Sequence, residues 1–503
     1  MSEQNNRKGT MAKDTLIYMI AKGFEGIIGI LTISAMSIIY LPDEVGKYST
    51  INIAITTIAM VCIQWLVQSV LRYINKYDLE NMQKQFYSTV FFSWLKVNLI
   101  VGFLFSFFIV SLNFGKNIPF FENILKIYPN DLLISVLLMF FTYNTAQLVI
   151  AMLAGARKSK TNLALSIINV TGKLICIILF NKYFNVNIKW LFFSYVIFDF
   201  ITVILGTIKL KIFKYISFKE NSREILENLK IYGMPLMGNM IATSILNKSD
   251  IYIITGYLGE DKAGIYQTNY SIIASAFIVV SSGVMRGSYP TIVRTWSEGK
   301  KDMAEKLIGD AIRFYLLVSI PAVFGIFAIS DFVAKSLFEA QYFEGNSVMG
   351  FVALGMMFLG LTEYAIKPWE LNAKTKEIFK RSMVSGIFNI ILNLAFIKIF
   401  GYKFAGVSTF LSFLLYFIIS KNGTKNIMKF NIDKFSLFRI LISGFIMYLL
   451  ISFIKVFFIT NIITTSIIVI IGAFIYIAIL YFTGEIKNEL NHIFNKIKIK
   501  FKK

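Results

Sequence analysis

Fourteen runs of about 20 predominantly apolar residues follow one another along this 503-residue chain. They begin near Thr15, Lys47, Tyr87, Asp131, Thr161, Ile188, Ile231, Ala263, Lys306, Ser347, Ile378, Phe404, Leu437 and Ile462. Each is long enough to cross a hydrocarbon layer about 30 Å thick, and in that layer a lone segment must satisfy its own backbone as a helix. The chain is therefore expected to be an all-α polytopic membrane protein. Composition agrees: 16% of residues are charged and 56% hydrophobic, whereas a soluble domain carries about a quarter charged residues. Two cysteines (Cys62 and Cys176) and one histidine (His492) leave no basis for a disulfide scaffold or a Cys/His metal site. No metal or cofactor is expected. No cleavable signal peptide is expected either, because the first thirteen residues are polar and lead straight into the first long run.

The formal charge of +22 would suggest nucleic acid in a soluble protein, but its distribution points elsewhere. The N-terminus, the even-numbered connections and the C-terminal tail hold 33 Lys and Arg; the odd-numbered connections hold 9, and 9 more lie within the runs. Such asymmetry orients membrane proteins and predicts both termini on the cytoplasmic side, facing anionic lipids. Nucleic acid is not expected as a partner. The external connections are short, the longest running from Phe114 to Asn130, and leave no room for an external catalytic domain.

The chain also repeats itself. Asp43, Gly46, Tyr48 and Thr50 before the second run match Asp261, Gly264, Tyr266 and Thr268 before the eighth, at an offset of 218. Lys158-Ser159-Lys160 after the fourth run matches Lys374-Thr375-Lys376 after the tenth, at an offset of 216. A repeat of six helices is even, so both copies enter the membrane in the same direction, as in transporters whose substrate path lies between two parallel lobes. The expected organisation is a cytoplasmic N-terminus (1–14), a first six-helix lobe (15–210), a cytoplasmic linker (211–230) and a second lobe (231–421). Two additional spans (434–484) and a basic, amphipathic cytoplasmic tail (485–503) follow.

Ionisable groups within the runs are the candidate site residues, because their cost in a membrane is justified by a cavity or a partner. Span 1 has Lys22 and Glu25 on one face, beside glycines at three-residue spacing, and span 2 has Gln64 and Gln68 on one stripe. Span 7 has Lys248 and Asp250; Arg286, Arg313 and Lys367 follow in spans 8, 9 and 10, the last beside Pro368. For each, snorkelling, ion pairing or helix packing competes with a cavity role. Embedded cations outnumber the embedded acids Glu25, Asp199, Asp250 and Glu363, a balance that favours an anionic, phosphate-bearing substrate.

Tyr232-Gly233-Met234-Pro235-Leu236, then Asp250, Gly259 and Ala263-Gly264-Ile265-Tyr266, resemble the polysaccharide flippases of the multidrug/oligosaccharidyl-lipid/polysaccharide exporter superfamily. The stretch from Trp369 to Lys376, with Asn389, Asn393, Gly401 and Gly406 after it, is similar to the same family. The resemblance implies two six-helix lobes in a V, with a central cavity lined by spans 1, 2, 7 and 8 that opens alternately to either side. It implies a polyprenyl-diphosphate-linked oligosaccharide as substrate, moved from the inner to the outer leaflet of a bacterial cytoplasmic membrane for capsule, O-antigen or other surface polymers. It further implies cavity cations on the diphosphate (Lys22, Lys248 and Arg286, with Arg313 and Lys367 behind them), the four acids as ion-coupling candidates, and a polymerase or assembly protein as partner. A multidrug/cation antiporter of the superfamily is the alternative, disfavoured by the cationic excess and the extra pair of spans. A membrane polymerase or glycosyltransferase lacks the carboxylate or histidine chemistry it needs on an external loop.

Overall fold

In the computed structural model, residues 23–118, 122, 125–184, 186–372, 374–428 and 433–487 are described. Lys22, His492 and the tail beyond residue 487 lie outside them. Among the described residues there is no strand. Fourteen long helices coincide with the fourteen apolar runs. They are α1 (Gly23–Ile39), α2 (Pro42–Leu79), α3 (Gln83–Phe114), α4 (Asn130–Gly155), α5 (Ser159–Tyr183), α6 (Ile188–Leu210) and α7 (Arg223–Leu258). Then come α8 (Glu260–Ser297), α9 (Lys301–Leu337), α10 (Asn346–Ala365), α11 (Thr375–Phe400), α12 (Lys403–Thr424), α13 (Lys434–Ile454) and α14 (Ile462–Phe482). Twelve are long and apolar enough to cross a membrane; α1, with 17 described residues, and α7 are not among the twelve.

The chain divides into two compact units, residues 1–255 and 256–503. This differs from the lobes expected from the repeat, because α7 lies with the first unit. In that unit α7 runs antiparallel along α2. Thr255 meets Thr50 (3.1 Å), Lys248 meets Thr56 (3.2 Å), the Ser69 hydroxyl donates to the Leu229 carbonyl (2.6 Å), and Asn228 donates to Tyr77 Oη (3.3 Å). Arg72 stacks on Tyr232 at 4.3 Å. Gly233 in this seam faces the Trp65 carbonyl so closely that a Cβ would run into it and into the Ser69 hydroxyl. The glycine of the Tyr-Gly-Met-Pro run is thus the contact point of two helices. Gly233→Ala is expected to cost about 1–3 kcal/mol, as overpacking does, and to lower the thermal unfolding midpoint of the detergent-purified protein.

The expected linker at 211–230 is itself built into the first unit. The Ser88 hydroxyl donates to the Tyr215 carbonyl (3.2 Å) and accepts from Ser217 N (2.9 Å), and Thr89 Oγ1 accepts from Ser222 N (2.9 Å). Tyr87 stacks on Tyr215 and Phe92 packs on Phe218. From residue 223 the segment is already α7. Behind it lies an apolar core of Leu66, Val70 and Ile74 from α2, Phe86 and Val90 from α3, and Leu153 from α4.

In the second unit α10 is central: 72% of its apolar window is buried, against at most 50% in the other spans. Tyr315 of α9 is buried against it and donates to the Met357 carbonyl (3.2 Å). The additional pair α13 and α14 is fastened to α9. Tyr476 Oη donates to the Leu317 carbonyl (3.0 Å), Ser336 meets Thr465 (2.7 Å), and Lys455 pairs with Asp331 (2.8 Å).

The repeated motifs occupy equivalent places. Asp43 lies in the first turn of α2 and Asp261 in the first turn of α8, where a carboxylate suits the helix dipole. Lys158 and Lys374 precede α5 and α11 with nearly the same backbone (φ −85°, ψ 53° and φ −87°, ψ 51°). Each also donates its N–H to the carbonyl five residues back, Leu153 or Trp369.

Candidate functional site

The embedded charges sort into groups by what holds them. Within the first unit, the seam of α2 and α7 carries Lys248, half-buried, whose ammonium donates to the neutral Thr56 hydroxyl. Tyr252, one turn on, bonds Thr57. Asp250 is buried (3% exposed) and has its own partner, but at two residues from Lys248 it points to a different face. Among the described residues no carboxylate pairs with Lys248. Gln64 and Gln68 lie on the same helix as Thr56 and are partly exposed; Glu25 on α1 is partly buried and partnered.

A second group sits between α5 and α6. Asp199 is 3% exposed, and its Oδ1 accepts from Lys173 Nζ (2.6 Å) and Asn169 Nδ2 (2.9 Å). Asn169 also donates to Thr202 Oγ1 (3.0 Å), and the Lys173 ammonium lies 4.6 Å from the Tyr195 ring. Tyr195 in turn packs on Tyr48 of α2 at 5.7 Å. Asp199 is one of the four ion-coupling candidates of the sequence; its partner Lys173 is not among the candidate site residues. The two are 26 residues apart on different helices, so no spacing rule links them. The corresponding helix pair of the second unit, α11 and α12, also buries polar groups: Asn393 donates to Asn389 Oδ1 (3.0 Å), and Ser408 bonds Asn393.

In the second unit Lys367 is 6% exposed, just beyond the end of α10. The helix breaks at Ile366, and Lys367 opens a short helical turn through Leu371, with Pro368 in a first turn where its missing N–H costs nothing. The ammonium bonds Glu370 Oε2 (2.7 Å), lies 3.8 Å from Glu363, and sits 4.7 Å from the Tyr289 ring; Tyr289 Oη donates to Glu370 (3.3 Å). Glu370 is the residue sequence reading missed here, although its three-residue spacing from Lys367 on a helix was a usable signal.

Arg313 is elsewhere in that unit. Its guanidinium donates to Glu485 Oε1 and to the Glu485 carbonyl, both at 2.7 Å. Glu485 also bonds Ser436 and lies 3.8 Å from Arg439. Glu485, expected to open a surface tail, is therefore buried and ties the end of α14 to α9 and α13. Arg286 lies on α8, but its side chain is outside the described residues.

The cationic excess counted from sequence is thus largely neutralised. Lys173, Lys367, Arg313, Arg439 and Lys455 each face a carboxylate. Lys96 on α3 is exposed. Lys248 is the described embedded cation that is both partly buried and without an acid.

The profile of the family described as Polysaccharide biosynthesis protein matches residues 11–296. A probable low-salt glycan biosynthesis flippase of Haloferax volcanii is 25% identical over 164 residues, covering 33% of this chain and 34% of the relative. A succinoglycan biosynthesis transport protein of Rhizobium meliloti is 27% identical over 126 residues, 25% of each chain. The chain thus spans about a third and a quarter of these two. An uncharacterized membrane protein of Methanocaldococcus jannaschii is 21% identical over 365 residues, 70% of this chain and 72% of the relative. In fold, the lipid II flippase MurJ in an inward closed conformation superposes with a TM-score of 0.72 at 15% identity, over 94% of this chain and 100% of that one. A multidrug resistance MATE family transporter of the MOP superfamily, in an inward-facing conformation, gives 0.65 at 12% identity, over 80% and 94%. These two likenesses concern the fold. With more than half its length matched by the family profile, and helices folded like those of the solved membrane proteins above, the chain belongs to the polysaccharide biosynthesis protein family of multi-pass membrane proteins.

Proposed function

We propose that this protein is a flippase that moves a polyprenyl-diphosphate-linked oligosaccharide from the inner to the outer leaflet of a bacterial cytoplasmic membrane, for assembly of a capsule, O-antigen or other surface polysaccharide. The observation that carries this reading is Lys248, a half-buried ammonium within the membrane-spanning helices whose described partner is a hydroxyl and not an acid. Holding a charge there without a counter-charge is costly, and an anionic headgroup arriving at the seam would repay it. An exporter of cationic drugs gains nothing from such a group. The printed functions of the Haloferax and Rhizobium relatives point the same way.

In this reading transport proceeds by alternating access between two six-helix lobes, with both termini cytoplasmic. Lys22, Arg286, Gln64 and Gln68 join Lys248 at the substrate, and Lys367 and Arg313 act as second-rank cations that would first have to leave Glu370 and Glu485. Glu25, Asp199, Asp250 and Glu363 are the acids available for ion coupling. Asp199 is already neutralised by Lys173, so a second cation gains a site there only if Lys173 moves away. A polymerase or other assembly protein takes the product on the far side.

The test is deletion of the gene in its host, with lipid extracts analysed by mass spectrometry. The expected result is accumulation of a complete oligosaccharide unit on polyprenyl diphosphate in the inner leaflet, with loss of surface polymer. Unchanged lipid intermediates with raised dye retention would favour the antiporter. Single units accumulating in the outer leaflet would favour a polymerase.

A further inference from the structure

At the end of the first unit where α2, α4 and α6 stop, three residues other than glycine hold a left-handed backbone: Asn81 (φ 58°), Arg157 (φ 56°) and Lys211 (φ 55°). All three follow a helix C-terminus, and this position favours glycine, with asparagine the usual second choice. The second unit uses glycine after α8 and α14, at Gly299 (φ 77°) and Gly484 (φ 80°). Arg157 and Lys211 thus keep long cationic side chains where the backbone penalises any Cβ.

The two cations belong to one cluster. Lys158 Nζ donates to the Lys209 carbonyl at 2.8 Å, which brings the corner after α4 onto the last turn of α6. Asn75 Nδ2, bonded to the Gly155 carbonyl at 2.6 Å, fixes the end of α2 to the same corner. Burial, then repulsion from Lys209 and Lys211, hold the Lys158 ammonium below its ordinary pKa, while Asp78 opposes them. Among the described residues no carboxylate forms an ion pair with Arg157, Lys209 or Lys211, and all three are exposed. Some of this charge offsets the negative ends of α4 and α6. That role does not require a strained backbone, since a lysine or arginine in the preceding turn serves it equally. Phe213, two residues beyond Lys211, is 75% exposed. Aromatic side chains at the rim of a membrane-spanning bundle reach the headgroup layer.

From this we infer that the corner formed by Arg157, Lys158, Lys209 and Lys211 is a binding site for the phosphate headgroup of an anionic glycerophospholipid, with Phe213 against the adjoining acyl region. The site is separate from the transport seam of α2 and α7 and does not depend on the transport reading.

The left-handed backbone gives an unusually clean test. Arg157→Gly with Lys211→Gly removes two cations while relaxing both turns, and the lipid-free thermal midpoint reads out folding separately. Phosphatidylglycerol and phosphatidylcholine are each titrated onto the purified, delipidated full-length protein, and bound lipid is counted by native mass spectrometry. The double variant, which loses two surface cations, is expected to bind phosphatidylglycerol about thirtyfold more weakly. Phosphatidylcholine binding stays unchanged, and the lipid-free thermal midpoint is equal or higher. Equal phosphatidylglycerol affinity in both proteins would overturn the proposal. A parallel fall for both lipids with a lower midpoint would do the same, by showing a structural role. Displacement of phosphatidylglycerol from the wild type by millimolar inorganic phosphate alone would reassign the site to free anions.

Discussion

Asp199→Ala should be the most damaging single substitution in the first unit, with a loss of about 3–5 kcal/mol expected from breaking a buried ion pair. The variant leaves the Lys173 ammonium, now 2.6 Å from nothing, between α5 and α6, and it strips Asn169 of one acceptor. The accompanying drop in the thermal midpoint is read on detergent-purified protein. The diagnostic is the double variant: Lys173→Met with Asp199→Leu removes both charges together and should recover most of the loss, because an apolar pair of similar volume carries no desolvation cost. If the single substitution were silent, or the double no better than the single, the pair would not be what joins the two helices.

The second large effect concerns transport. Lys248→Met keeps the apolar stem that packs along α2 and removes only the ammonium that reaches Thr56. Insertion and thermal stability should hold within about 1 kcal/mol, or improve, since a half-buried charge without an acid is lost. Movement of lipid-linked oligosaccharide into the outer leaflet of reconstituted vesicles should fall at least tenfold, the cost of one charge-assisted bond to phosphate of about 1.5–3 kcal/mol. Lys248→Arg should retain more activity than Lys248→Met. Full activity in the methionine variant would remove the central support for an anionic cargo at the seam.

How far the sequence could go is visible in particular residues. The fourteen helices were legible because a run of about 20 apolar residues has few other fates. The repeat was legible because Asp43 and Asp261, and Lys158 and Lys374, do the same local work at helix starts. The fate of the embedded charges was not legible. Lys173 and Asp199, Arg313 and Glu485, and Lys455 and Asp331 are joined across helices by packing, and nothing in linear spacing announces such pairs. Counting cations against acids therefore overstated the positive excess, while Lys248 is left without an acid among the described residues. Lys367 and Glu370 are the exception, since they are neighbours on one helical turn. The linker at 211–230 reads as a polar connection, but Ser88 and Thr89 convert it into part of the first unit by satisfying its backbone.

The seam of α2 and α7 also bears on how the chain gets into the membrane. α7 carries Asn247, Lys248, Ser249 and Asp250 one after another, polar groups that partition poorly into a bilayer. Lys248 and Thr255 find partners on α2, in residues synthesised 192 and 205 positions earlier. The translocation machinery would have to hold α7, or release it only against a waiting α2, before the bilayer could accept it. A chain cut off after α7 should therefore anchor that segment when α2 is intact and let it slip out when Thr50, Thr56 and Ser69 are all alanine. In this protein a membrane span is defined by its neighbour as much as by its own hydrophobicity.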